Sequence, residues 1–570
     1  MKKSILFLIL LFVGNIIVSA QKDMTELWES KLEHKCEQNE LNEELGLIIS
    51  SSEKEISIVD SKTGKVKWTN SFKKLTDGKL NKVDERIPMW DAKVIFLFDR
   101  QRGKDDMAVI DLMNGQMLWH SDKYQNVSGE AVVYMPELEM FAISSKSAFH
   151  MIKARTGEEL WETQGFKGTL GKYLINRNDN TIIALNYNPN AANGLKIFTA
   201  FGAFKSQLTK LNIKNGDIIW QTDIRGAVER EIKTGNILAS LKVLNEDKLM
   251  LYLQGIQMFD LSSGKMLWSV VHDESIMEET KRGIGANYSG SKIVRSAVYR
   301  AIAEPLIDGD NIFVVDIPDR THQFVSKYNL NTGKLIWKSD EIKNLKVAPN
   351  LYKAGDKLIL QVGGRVEVQA LVQKKQNVGG FGGLPSASMV TYERVRFYKE
   401  FGPFGVMGFS ADNGQQAWRS ERFSKGVTNA FINDNQLIVA SGKELYNLDP
   451  ATGTEKYEVS LKDDDIKQTE SLFRMGDNAI MVCEKGVSSY KFSEGKKNWA
   501  VRTKRGDLYD ISGNIAFYRT EKNDQIAIDL ETGSYTNYDA RKDADTEVSE
   551  DGSFIFIFEK SKITKAKTKL

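Results

Sequence analysis

Asp60-Ser61-Lys62-Thr63-Gly64-Lys65-Val66-Lys67-Trp68 is the stretch on which the reading of the whole chain turns. An alternating apolar run, Ile56-x-Ile58, precedes it, and a short strand-like run ends in the tryptophan. The middle is turn chemistry. A carboxylate can accept hydrogen bonds from the backbone two and three residues on, and glycine takes φ > 0 without penalty. The nine residues therefore predict a β-hairpin with an indole held at a set distance beyond its turn.

The same spacing recurs at Asp111–Gly115–Trp119, Lys153–Gly157–Trp161, Asn212–Gly216–Trp220 and Asp260–Gly264–Trp268. It continues at Asn329–Gly333–Trp337, Ser410–Gly414–Trp418 and Lys491–Gly495–Trp499. Two weaker copies keep the glycine, Asp449–Gly453–Tyr457 and Asp529–Gly533 followed by Tyr538. Eight of the ten tryptophans fall in the pattern, with Trp28 and Trp90 outside it, so chance placement is no account of it. The residue before the glycine is Thr, Asn or Ser in every copy except the one with Glu494. A side chain that buries ~150–250 Å² at a repeated position suits a knob packed between neighbouring repeats.

Between Trp119 and Trp161 the pattern reads as strands near 131–135, 140–144 and 149–153, then one ending at Trp161. Four short strands in about 42 residues is the size of a propeller blade. The expected fold class is all-β, a single large β-propeller of four-stranded antiparallel blades, about eight of them and up to ten repeat copies. Residues 21–50 lead into the ring and 51–540 form it, with insertions near 186–207 and 370–402. Residues 541–570 are a C-terminal strand or tail that closes it.

Composition narrows the class. At 41% hydrophobic and 27% charged over 570 residues, the chain is too apolar for disorder and too polar for a multi-span membrane protein. Its two cysteines exclude a disulfide scaffold, a four-cysteine zinc module and a C-x-x-C-H haem site. Met1-Lys2-Lys3, the apolar run Ile5–Ile17 and Val18-Ser19-Ala20 have the form of a secretory signal peptide cut before Gln21. No cysteine directly follows the apolar run, the first being Cys36, which argues against a lipid-anchored start. The leader holds two lysines and no acid, so 78 basic residues become 76 against 76 acidic ones. A formally neutral exported chain is not expected to bind nucleic acid, nor to span a membrane once the leader is gone. The expected location is periplasmic, envelope-associated or extracellular.

With Asp-x-x-Thr-Gly-Lys-x-x-Trp at 60–68, and Asn in the leading place at 329–337, the chain resembles the pyrroloquinoline-quinone-type (PQQ-like) β-propeller repeat family and its tryptophan-docking motif. The resemblance covers roughly residues 50–540. It departs from the family in two ways: only Ala527 stands two positions before its Asp, and ten copies exceed the usual seven or eight blades. The family divides into quinone-dependent dehydrogenases and a non-catalytic branch that includes a propeller subunit of the outer-membrane barrel-assembly machinery. The dehydrogenases carry adjacent cysteines over the quinone. Here Cys36 and Cys483 are far apart, and their pairing is left open by the sequence. The resemblance therefore implies the non-catalytic branch: a monomeric, protein-binding scaffold with no cofactor, whose partner is an envelope protein or polymer. The alternatives are a dehydrogenase of alcohols or sugars using PQQ with calcium, and a glycan-binding propeller.

Candidate contact residues are few. Phe381 lies in the glycine-rich run 379–385, readable as a contact arm or a plain insertion. Phe201 and Phe204 match Phe401 and Phe404 in paired Phe-Gly-x-Phe segments, readable as aromatic contacts or as core strands. Arg394, Arg396 and Lys399 among Val395 and Phe397 follow strand patterning. Asp543-x-Asp545-x-Glu547 lacks the glycine of a calcium loop and reads as a solvated acidic stretch. No catalytic residue or metal site is expected.

Overall fold

A computed structural model describes residues 22–568, apart from 81–82, 102–103, 125–126, 128–130, 146–147, 188–204, 229–236, 274, 379–386 and 504–505. The segment 1–20, Phe201, Phe204 and Phe381 lie outside the described residues.

The turns show why the pattern recurs. Asp60 Oδ1 accepts from the backbone N–H of Lys62 (3.1 Å) and Thr63 (2.9 Å) and from the Thr63 hydroxyl (2.9 Å). Gly64, at φ +73°, donates its N–H to the Asp60 carbonyl at 2.8 Å. The equivalent glycine-to-carbonyl bond is present in all ten turns. In nine of them the returning strand then carries a β-bulge: Val66 pairs with Val59 and Trp68 with Ile58, so Lys67 has no opposite number. The tenth hairpin, at Gly533, has no such shift and no tryptophan. A bulge adds a residue to one strand and re-aims the side chains beyond it.

Among the described residues eleven sheets result, most of them four-stranded and antiparallel throughout except where Lys22–Asp23 pairs parallel with Tyr535–Tyr538. The fold is all-β and of the β-propeller type. Ten sheets hold one motif copy each. The eleventh is made of Asp545–Val548, Phe554–Glu559 and Lys562–Lys567, and it takes Thr25–Lys31 from the N-terminus as its fourth strand. Most inner strands are buried along all but their end residues, and Leu47–Ser51 and Thr181–Tyr187 are buried throughout. The chain divides into two compact units. One comprises Ser30–Ser460 with Lys560–Lys562 and holds eight sheets; the other comprises Leu461–Glu559, Ile563–Leu570 and the residues up to Glu29, and holds three. No described helix is long and apolar enough to cross a membrane.

One sheet differs from the rest. Its strands Lys357–Val378 and Ala387–Ser410 run 22 and 24 residues, whereas every other described strand has eight or fewer. Near Lys357–Val362 they form part of a repeat sheet with Leu351–Ala354 and Gln416–Arg419. Beyond Gly364 they continue as an arm, joined on one side by Ser291–Val298. The register slips once, between Val362 and Gly364. Gly363 sits there at φ +71°, and a Cβ on it would collide with the Pro403 carbonyl, so only glycine fits this step from sheet to arm.

Candidate functional site

The repeat residues are occupied by packing between sheets. Trp68 donates its indole N–H to the Leu112 carbonyl (3.0 Å), Trp119 to Ala154 (3.0 Å) and Trp161 to Ile213 (2.7 Å). Trp220 donates to Leu261 (3.3 Å), Trp337 to Ala411 (3.1 Å) and Trp418 to Pro450 (3.1 Å). In each case the acceptor immediately follows the leading polar residue of the next repeat. The next glycine covers the same indole. A Cβ on Gly115 would stand 3.1 Å from the Trp68 ring, on Gly157 2.7 Å from Trp119, and on Gly533 2.6 Å from Trp499. Gly216, Gly264, Gly333, Gly414 and Gly453 lie tighter still on Trp161, Trp220, Trp268, Trp337 and Trp418, a Cβ standing 2.3 to 2.5 Å from the ring. Eight of the ten motif glycines therefore have two duties, the turn's positive φ and the seat of the preceding indole; Gly64 begins the series and Gly495 follows the copy with Tyr457 in the tryptophan's place. Neither the carbonyl acceptor nor the bulge is visible in the sequence without the fold.

The contact candidates separate. Phe401 is buried with Val366, Val368 and Val298 at the root of the arm, and Gly283 closes over its ring. Phe404 is half-buried in a different cluster, with Ile359, Val406 and Trp418. Cys36 and Cys483 form no disulfide.

The described residues close enough to share a cation are His150, Glu159 and Glu162, not the 543–547 stretch. His150 Nδ1 is 3.2 Å from Glu159 Oε2, and Lys123 Nζ reaches both Glu159 oxygens at 2.8 Å. The Tyr124 hydroxyl donates to Glu159 at 2.9 Å. Burial lowers the His150 pKa. Burial alone would raise Glu159, but bonds from Lys123 and Tyr124 hold it below its ordinary value. An ammonium already occupies the cluster. With one imidazole and two carboxylates, it does not fit the six to eight oxygens that calcium takes, and so does not fit the quinone's calcium.

Residues 52–339 and 404–552 match the model of a family described as outer membrane protein assembly factor BamB. The chain belongs to this family. The BamB family match skips 340–403, the stretch that contains nearly all of the two arm strands beyond Gly364. No curated protein matches in sequence. Among solved structures, BamB from Moraxella catarrhalis is 12% identical, covering 72% of this chain and 94% of that one, with a TM-score of 0.28. The computationally designed Ika8 protein is 10% identical over 72% and 100% (TM-score 0.33). The C-terminal WD40 domain of Sif2 is 10% identical over 71% and 99% (TM-score 0.33).

Proposed function

We propose that the chain is an exported, non-enzymatic scaffold that binds other proteins in the bacterial cell envelope. The supporting observation is where the repeat chemistry goes. The turn carboxylates bond their own backbones, and six indole N–H groups bond the next turn. What remains for function is rigid surface and insertions, which suits binding rather than turnover. Membership of a family described as an outer-membrane assembly factor favours an envelope setting, and the leader-like 1–20 stretch favours export.

The test uses the purified full chain with PQQ and calcium. The expected result is no quinone retained after dialysis and no dye-linked oxidation of alcohols or sugars, with a defined protein adduct on cross-linking in the native envelope. Near-stoichiometric quinone uptake with turnover would overturn the reading.

A further inference from the structure

The arm carries an open strand edge. From Gly364↔Phe401 to Val378↔Ala387 its two long strands pair without a register shift, a run of roughly 50 Å at about 3.3 Å per residue. Lys357–Val378 is paired on both sides, because Ser291–Val298 joins it from Lys292↔Gln373 to Val298↔Val368. The other strand is not. Among the described residues its only partners are Lys357–Val378 along its length and Gln416–Arg419 at 407–409. Among the described residues, then, no strand lies beside one edge of the backbone from Ala387 to Phe397. Natural sheets blunt such edges with bulges, prolines, very short strands or charged side chains. This stretch contains no proline, no bulge and no shortening, so its charges, Arg394 and Arg396 among them, are the one such device it carries, and they select against a like-charged strand rather than an acidic one.

The arm is also basic in a chain that is formally neutral after its leader. Over Ser291–Val298, 364–378 and 387–401 the sequence has eight Lys and Arg against three Glu. Arg396 and Lys399 are exposed on opposite faces of the open strand. Glu400, the nearest acid on it, lies 4.0 Å from Lys425. The root is firm: Val366, Val368 and Phe401 are buried, and Tyr288 stacks on Phe397 at 4.7 Å. A rigid, basic, open edge suits an added strand better than a flat surface does, since an added strand answers its backbone groups. Two copies meeting edge to edge would set like charges opposite one another, which is destabilising.

We propose that the Ala387–Phe397 edge binds an extended acidic segment of a partner polypeptide by strand addition. The proposal rests on the scaffold reading and assigns the place and chemistry of the contact. The probe is a synthetic peptide alternating Glu with Val and Thr, offered to the full chain. Its lysine counterpart, a backbone N-methylated copy and phosphatidylglycerol vesicles serve as comparisons. The acidic peptide binds, slows amide exchange across 387–397, and loses about tenfold in affinity with Arg396→Glu plus Lys399→Glu. N-methylation, which removes backbone donors, abolishes it. Failure of the acidic peptide to bind, indifference to charge reversal or to N-methylation, preference for vesicles, or self-association through this edge each overturn the proposal. A photo-cross-linker at position 396, and another at exposed Lys62, separates the two readings in the envelope. Protein adducts from 62 but none from 396 sink the arm proposal alone. No protein adduct from either, together with quinone uptake, sinks both.

Discussion

The Gln207–Asp223 hairpin and the Ala387–Phe397 edge are both antiparallel β-structure, yet their environments are opposite. In the hairpin, Trp220 is buried, its N–H meets the Leu261 carbonyl, the Thr222 hydroxyl meets the Gly264 carbonyl at 2.7 Å, and Gly264 lies on the indole. The strand ends where the next turn has covered it. In the arm no next turn arrives, so the strands continue for as long as they can pair with each other. Secondary structure is the same in the two places. What differs is whether a neighbouring repeat supplies the second surface, and that difference separates cohesion from an available edge.

The largest expected effect breaks the cohesive side. Trp220→Ala removes a buried indole and its bond to the next turn, and is expected to destabilise the large unit by ~3–5 kcal/mol in urea unfolding. A loss below about 1 kcal/mol, the size of a surface substitution, would show that the indole does not hold the sheets together. Next comes a matched pair of glycines. Gly414 (φ +75°) lies on the Trp337 ring, whereas Gly290 (φ +78°) has nothing within 4 Å of a Cβ position. Gly290→Ala should lose only the left-handed strain of about 1–2 kcal/mol. Gly414→Ala should lose about 1 kcal/mol or more beyond that, because the indole must also shift. Equal midpoints for the two variants would remove the seat from the argument.

A pH test sharpens the same side. His272 follows the Trp268 strand; burial lowers its pKa to about 4, and Asp316 only partly offsets this. Its folded value lies below its ordinary ~6.5, so the unfolded chain takes up the proton first as pH falls. Stability linked to this residue is complete above pH ~6.5 and declines towards pH ~4, by roughly 2 kcal/mol between pH 7 and pH 5. His272→Gln should flatten that slope; an unchanged slope would assign it to other groups. The smallest effect belongs to the arm. Arg396→Gln with Lys399→Gln should move the unfolding midpoint by no more than about 0.5 kcal/mol, as for exposed side chains generally. A larger loss would mean that these cations hold the arm together and are not there for a partner.

Much of the fold could be read from residues alone because its signals are local. Asp60 and Gly64 set a turn through their own backbone; the sequence reading of about eight blades for up to ten copies falls short of the structure, in which each of the ten copies has a sheet of its own and an eleventh is added. The eleventh sheet carries no motif, since its fourth strand comes from residues 25–31 at the other end of the chain. The match between Phe201-Gly-Ala-Phe204 and Phe401-Gly-Pro-Phe404 suggested a shared surface, yet identical patterning cannot tell a contact from a core strand. In the structure Phe401 is buried under Gly283 and Phe404 is half-buried.

Local chemistry, then, was enough to specify turn, strand and repeat, because a carboxylate, a glycine and an alternating run act within a few residues of themselves. Only the tertiary structure decided which carbonyl each indole meets, which residue is bulged out before it, and which strand edge is left open. Those depend on chain segments tens to hundreds of residues apart arriving side by side, and no spacing within one repeat encodes what its neighbour brings.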